Sequence, residues 1–168
     1  MQAARGKVIK ILFQDDFLNG CDSLGSVANA FANPAVNWLL SGCEHSSDGI
    51  NLNRPFVPRW NKHIFLGHNT VSSPSVLAVR RHLAPSFDED LIWLMDGEYY
   101  WQCYLKFGDP TILQDPLVVN RLHPDQLSNR ITGSLKRREL RHVRTKYYDQ
   151  MTWGDRWFFW RQMRKTWS

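Results

Sequence analysis

Cysteine is scarce in this chain. Only Cys21, Cys43 and Cys103 occur among 168 residues, far apart and odd in number. That argues against a disulfide framework and supplies no zinc-ligand spacing, so reduced thiols in a cytoplasmic setting are expected. No apolar run approaches the roughly 18 residues that a membrane-spanning helix needs. The N-terminal stretch Met1–Lys7 lacks the apolar segment of a signal peptide. Internal repeats and low-complexity tracts are absent too. What is present is a chain 43% hydrophobic and 22% charged, long enough for one compact domain with a real core.

The net charge of +5 is unevenly placed. Residues 1–132 carry 11 Lys/Arg and 13 Asp/Glu, a net of −2, whereas residues 133–168 carry 10 basic and 3 acidic side chains, a net of +7. An acidic body makes a nucleic-acid module a poor reading. A basic tail points instead to an anionic surface, either phospholipid or a partner protein.

The chain is organised around Gly6–Asp16, an apolar run that ends in two adjacent carboxylates. Val8, Ile9, Ile11, Leu12 and Phe13 suit a buried strand. Asp15 and Asp16 then fall at its carboxyl end, the edge where open α/β sheets bind ligands. Two such close carboxylates repel unless one is protonated or a cation lies between them, and hard oxygen ligands suit Mg2+ or Mn2+ on a substrate phosphate. The plainer reading is a solvated turn that caps the next helix.

Leu24, Val27, Ala28 and Phe31 recur at helical spacing and predict a helix over 21–32, stopped by Asn33-Pro34. Trp38–Leu40 reads as a strand ending at Ser41-Gly42. Residues 44–61, rich in Ser, Asn, Asp and Pro, read as a long loop. Gly67–Ser75 reads as a loop and Val76–Val79 as a strand. Residues 96–107 are the clearest helix, with Tyr99, Tyr100, Cys103, Tyr104 and Phe107 in one stripe, Asp96 as N-cap and Gly108 as the stop. Ile112-Leu113 and Leu117–Val119, on either side of Asp115-Pro116, suggest a broken strand. From Ser134 the tail reads as two helical pieces joined near Gly154. Trp153, Trp157, Trp160, Met163 and Trp167 share one helical face, with Arg156 and Arg164 among them. That pattern fits a helix lying in a membrane interface, or a face that covers the sheet or a dimer partner.

The order Gly6-Lys7-Val8-Ile9-Lys10-Ile11-Leu12-Phe13-Gln14-Asp15-Asp16, then Ser73-Pro74-Ser75 before a strand and Arg80-Arg81, Phe87-Asp88-Glu89, Asp96-Gly97-Glu98-Tyr99-Tyr100, and finally Pro116-Leu117 with Arg121-Leu122-His123-Pro124-Asp125-Gln126, resembles the second half of a family 2 glycosyltransferase of the GT-A fold. The likeness covers roughly residues 3–130. It implies an α/β fold, a partial GT-A mixed sheet flanked by helices with a helical C-terminal tail, divided as 1–132 and 133–168. It also implies metal-assisted transfer of a sugar from a nucleotide-diphosphate donor to an acceptor hydroxyl, with inversion. By that resemblance Asp15 and Asp16 hold Mn2+ or Mg2+, Asp16 most directly, and His123 contacts the metal or the diphosphate. Asp96 is the general base. Asn69, Ser73 and Ser75 line the sugar and acceptor cleft, Glu98 contacts the acceptor or caps the backbone, and Arg121 serves the same anionic group as His123.

The implied partners are a nucleotide-sugar donor and a saccharide or lipid-linked acceptor, without nucleic acid. The implied location is cytoplasmic, with peripheral contact at the inner face of the membrane through the tail. One departure stands out: Phe13 occupies a position where many family members carry a further metal ligand. The family's nucleotide-binding first half has no counterpart in these residues, so a truncated chain or a subunit completed by another chain is expected. The alternative to an enzyme is a non-catalytic remnant that binds a partner or membrane through its tail.

Overall fold

In the computed structural model, residues 3–167 are described (the side chains of Leu127 and Asn129 aside). Met1 and Gln2, at the head of the stretch read for a signal segment, lie outside them, as does Ser168. The chain is a mixed α/β protein. Six strands, β1 (Val8–Lys10), β2 (Phe17–Leu18), β3 (Trp38–Ser46), β4 (Asn53–Phe56), β5 (Leu77–Arg80) and β6 (Thr111–Arg121), form a curled mixed sheet. Four helices accompany it: α1 (Ser23–Ala30), α2 (Met95–Phe107), α3 (Gly133–Lys146) and α4 (Trp153–Lys165). Two compact units emerge, one of residues 1–60, 70–86 and 103–123, the other of 61–69, 87–102 and 124–168.

The first unit holds the sheet, in the order β1-β5-β3-β6-β2 with β4 also paired to β3. Among the described residues only β3 and β6 run parallel as neighbours; the other pairings are antiparallel. Because β5 opposes both β1 and β3, the strands β1, β3 and β6 point the same way. Alternation along β3 divides its core between two faces. Leu39, with Ala78, Leu117 and Val8, packs under Val27 and Phe31 of α1. Trp38 faces the other way. Its ring meets Trp60 edge-on at 5.3 Å, Trp60 meets Tyr104 at 5.4 Å, and its indole N–H donates to the Gly108 carbonyl at 3.1 Å. Full burial of each such side chain is worth about 1.5–3 kcal/mol.

Several sequence expectations change here. The first strand closes at Lys10, and after the Ile11 N–H bonds Leu77 the chain turns away from the sheet. Residues 44–46 and 53–56 are strand, where the sequence reads as loop. The neighbouring strands supply backbone partners that override the poor strand propensity of Glu, Asn and Pro. The expected break at Asp115-Pro116 is a bulge inside one continuous strand. Between the pairs Leu39–Thr111 and His45–Asn120, six residue steps along β3 are matched by nine along β6. Gly42 sits against this bulge, where a Cβ would lie 2.6 Å from the Gln114 carbonyl oxygen, so only glycine fits.

The second unit is helical. The 3₁₀ turn Lys62–Leu66 buries Ile64, Phe65 and Leu66. Phe65 stacks on Trp101 at 4.3 Å. Gly97, in the first turn of α2, approaches so closely that a Cβ would lie 2.5 Å from the Ile64 carbonyl oxygen. The tail's two helices are joined at 147–152, with a 3₁₀ turn at Tyr148–Gln150. Gly154 lies inside α4, whose start is fixed by a capping box between Thr152 and Asp155. No helix among the described residues is long and apolar enough to cross a membrane.

Candidate functional site

Strand ends, not strand interiors, bring the first unit's polar groups together. Asp15 and Asp16 follow β1 through a turn closed by the Asp16 N–H to the Phe13 carbonyl, 3.1 Å. Ser73 precedes β5, which begins where β1 ends. Arg121 closes β6, and His123 lies two residues on. The Asp16 carboxylate accepts from the Arg121 backbone N–H at 3.1 Å and from the Ser73 hydroxyl at 3.2 Å. His123 Nε2 lies 3.1 Å from Asp15 Oδ2, and both side chains are about one-third exposed, at 34% and 36%. The sequence-predicted set Asp15, Asp16, Ser73, Arg121 and His123 is thus assembled at the carboxyl ends of β1 and β6. Open α/β sheets take ligands at that edge.

Three residues of this cluster are missing from the sequence reading. Asn120 is buried at the heart of it: its amide donates to Ser72 Oγ at 2.8 Å and to Cys43 Sγ at 3.4 Å, and accepts from Ser73 Oγ at 2.7 Å. Ser72 has a φ of 85°, a left-handed backbone that is costly for a residue with a Cβ. Lys10 donates to the Ser75 carbonyl; burial lowers its ammonium pKa to about 8, against the pull of the nearby Asp16 carboxylate. Desolvation also raises the Cys43 thiol, keeping it protonated. A lysine within an apolar strand, and an asparagine closing the apolar run Leu117–Val119, were the legible signals; the φ of Ser72 has none.

Ser75 is fully buried, and its hydroxyl accepts the Phe13 N–H at 2.9 Å. It braces the exit from β1. The second unit contains Asn69, Asp96 and Glu98. Asn69 is exposed. Glu98 is fully buried, with its carboxylate committed to Tyr147, to Gln102 at 2.8 Å and to Lys146 at 2.8 Å. That network ties α2 to the end of α3. Asp96 is not the N-cap but the second residue of α2, two positions past the cap, and accepts the Gly97 N–H at 2.7 Å. The residue keeps some contact with solvent, yet desolvation of its carboxyl outweighs the backbone hydrogen bonds and raises its pKa to about 6.

For a divalent cation the donor chemistry fits in part. Asp15 and His123 offer an oxygen and a nitrogen side by side, and Mg2+ or Mn2+ that also binds substrate phosphate needs few protein ligands. One three-residue group of ligand atoms stands out among the described residues: Asp88, Asp90 and His142 in the second unit. There Asp88 already accepts from Lys146 at 2.6 Å and His142 at 3.0 Å. Burial opposes its ionisation, but these bonds outweigh burial and hold its pKa near 2. Its charge is met within the protein. The chain matches no protein-family model and no curated protein.

Proposed function

We propose that this chain is the metal- and acceptor-side portion of an inverting glycosyltransferase of the GT-A type, resembling family 2. The observation that carries the reading is the convergence of Asp15, Asp16, Ser73, Arg121 and His123 at the carboxyl ends of aligned strands. It agrees with the motif order along the sequence. In this reading Asp15 and His123 would hold the cation, while Asp16 fixes the Arg121 backbone and the Ser73 loop beside it. A divalent cation there would supply charge neutralisation for a leaving diphosphate. By the family resemblance Asp96 is the general base that takes the proton of the acceptor hydroxyl. A carboxylate with a pKa near 6 is better matched to a base at neutral pH than one with the ordinary value of 3.8.

The test couples binding and chemistry. Manganese binding is followed by electron paramagnetic resonance, and nucleotide-sugar hydrolysis is measured with manganese present. Asp15→Asn and His123→Ala should each weaken manganese binding at least about tenfold. Asp16→Ala and Asp96→Asn should each lower turnover at least about 100-fold. Manganese binding and hydrolysis that survive all four substitutions would refute the assignment.

A further inference from the structure

The exposed side of α4 is the inverse of an ordinary surface helix. Its buried face is formed by Phe158, Phe159 and Met163, with Asp155 and Gln162 among them. The opposite face carries Trp153, Trp157 and Trp160, exposed by 86%, 65% and 58%, interleaved with exposed Arg161, Arg164 and Lys165. Met163 therefore parts from the sequence-predicted tryptophan stripe. Three large aromatics left in water on one helix face mark an interaction surface.

Charge identifies the occupant. Of the tail's three acids, Glu139 is buried, accepting the backbone N–H groups of Ile92, Trp93 and Leu94, each at 2.9 Å. Asp155 is buried too, in the capping box and 3.0 Å from His63. Only Asp149 stays exposed, so the outward surface is more cationic than the sequence total suggests. A second copy docked face to face would set these cations against themselves. Single-stranded nucleic acid, which stacks its bases on aromatic platforms, is the rival occupant that the experiment below separates. Tryptophan beside arginine and lysine is the chemistry of the lipid headgroup region: the ring sits at the boundary and the long cation reaches phosphate. Arg161 already lies 5.9 Å over the Trp157 ring, and Arg156 lies 5.6 Å over that of Trp153.

We infer that the outer face of α4 docks on a bilayer surface rich in anionic phospholipid, with Trp157 and Trp160 entering the headgroup layer and Arg161, Arg164 and Lys165 contacting phosphates. The helix lies flat; its 13 residues do not span a bilayer. This inference is independent of the sugar-transfer reading.

The experiment uses the full chain with phosphatidylcholine vesicles, with and without phosphatidylglycerol, in a flotation assay. Binding should require phosphatidylglycerol and shift tryptophan emission to the blue. The triple variant Arg161→Gln, Arg164→Gln, Lys165→Gln should bind about 100-fold more weakly, since each cation near such a surface is worth about fivefold. Trp157→Ser with Trp160→Ser should lose at least about tenfold. All these side chains are exposed, so unchanged circular dichroism will show that the variants fold. Binding that ignores the tryptophan changes overturns the inference. So does a lipid-free dimer, or a complex with single-stranded RNA, that the same changes abolish.

Discussion

Asp96 is held at a cost that a single atom exchange removes. Folding raises its carboxyl from the ordinary value of 3.8 to about 6 because burial disfavours the charged form. At about 1.4 kcal/mol per pH unit this corresponds to about 3 kcal/mol, reduced to about 2 kcal/mol by the residue's remaining contact with solvent. The sign follows from the protons. Between about pH 4 and pH 6 the folded state binds more protons at this site than the unfolded chain, so stability falls as pH rises through that window. Below it both states are protonated and the cost vanishes. Above it both are ionised and the cost is complete.

Asp96→Asn removes the charge and keeps an oxygen to accept the Gly97 N–H. The variant should therefore match the parent near pH 3 and exceed it by about 2 kcal/mol near pH 7.5. Urea unfolding followed by tryptophan fluorescence at the two pH values measures the difference. An Asn variant less stable than the parent at neutral pH, or a difference that does not change with pH, refutes the reasoning. Greater stability with loss of turnover in one substitution is the signature of a group kept for its chemistry.

Substitutions at two further positions probe what holds each unit internally. Glu139→Ala strips three backbone N–H groups of their charged acceptor and should cost about 3 kcal/mol, lowering the melting temperature by about 10 °C. Glu139→Gln, which keeps one carbonyl oxygen, should cost about 1 kcal/mol; thermal circular dichroism separates them. Asn120→Ala loses its bonds to Ser72, Ser73 and Cys43 and frees the strained Ser72 backbone, so it should destabilise by about 2 kcal/mol in urea and weaken manganese binding as well. Wild-type manganese affinity in that variant would sink the positioning role of Asn120.

Local signals carried much of the fold. Helix α2 and its stop at Gly108, helix α1 before Asn33-Pro34, and the strand at Leu77 were legible because apolar period and breaker residues agreed there. The second half of β3 was not. Ser41–Ser46 extends because β6 lies alongside it, and a pairing of residues about seventy positions apart leaves no local mark. At the candidate site, Asp15, Asp16 and His123 were chosen from motif order, and the structure brings Asp15 and His123 into contact. Glu98 and Ser75 rest on the same resemblance, and nothing in the local sequence signals that both side chains are buried and hydrogen-bonded. Trp153, Trp157 and Trp160 share one exposed face of α4, as their spacing predicts, but only burial shows that Met163 belongs to the other, and Trp167 lies beyond the end of the helix.

The bulge of β6 sets the register of everything beyond it. Three extra residues lie between the pairs Ser41–Leu113 and Cys43–Val118, so Asn120 pairs with His45, where an unbroken ladder would have placed Leu117. The segment therefore behaves unlike a surface loop, where insertions are absorbed: a slip of one residue in the ladder beyond it would carry Asn120 to the opposite face of the sheet, away from Cys43, Ser72 and Ser73. Gly42, where no Cβ fits, is what lets the bulge lie against β3.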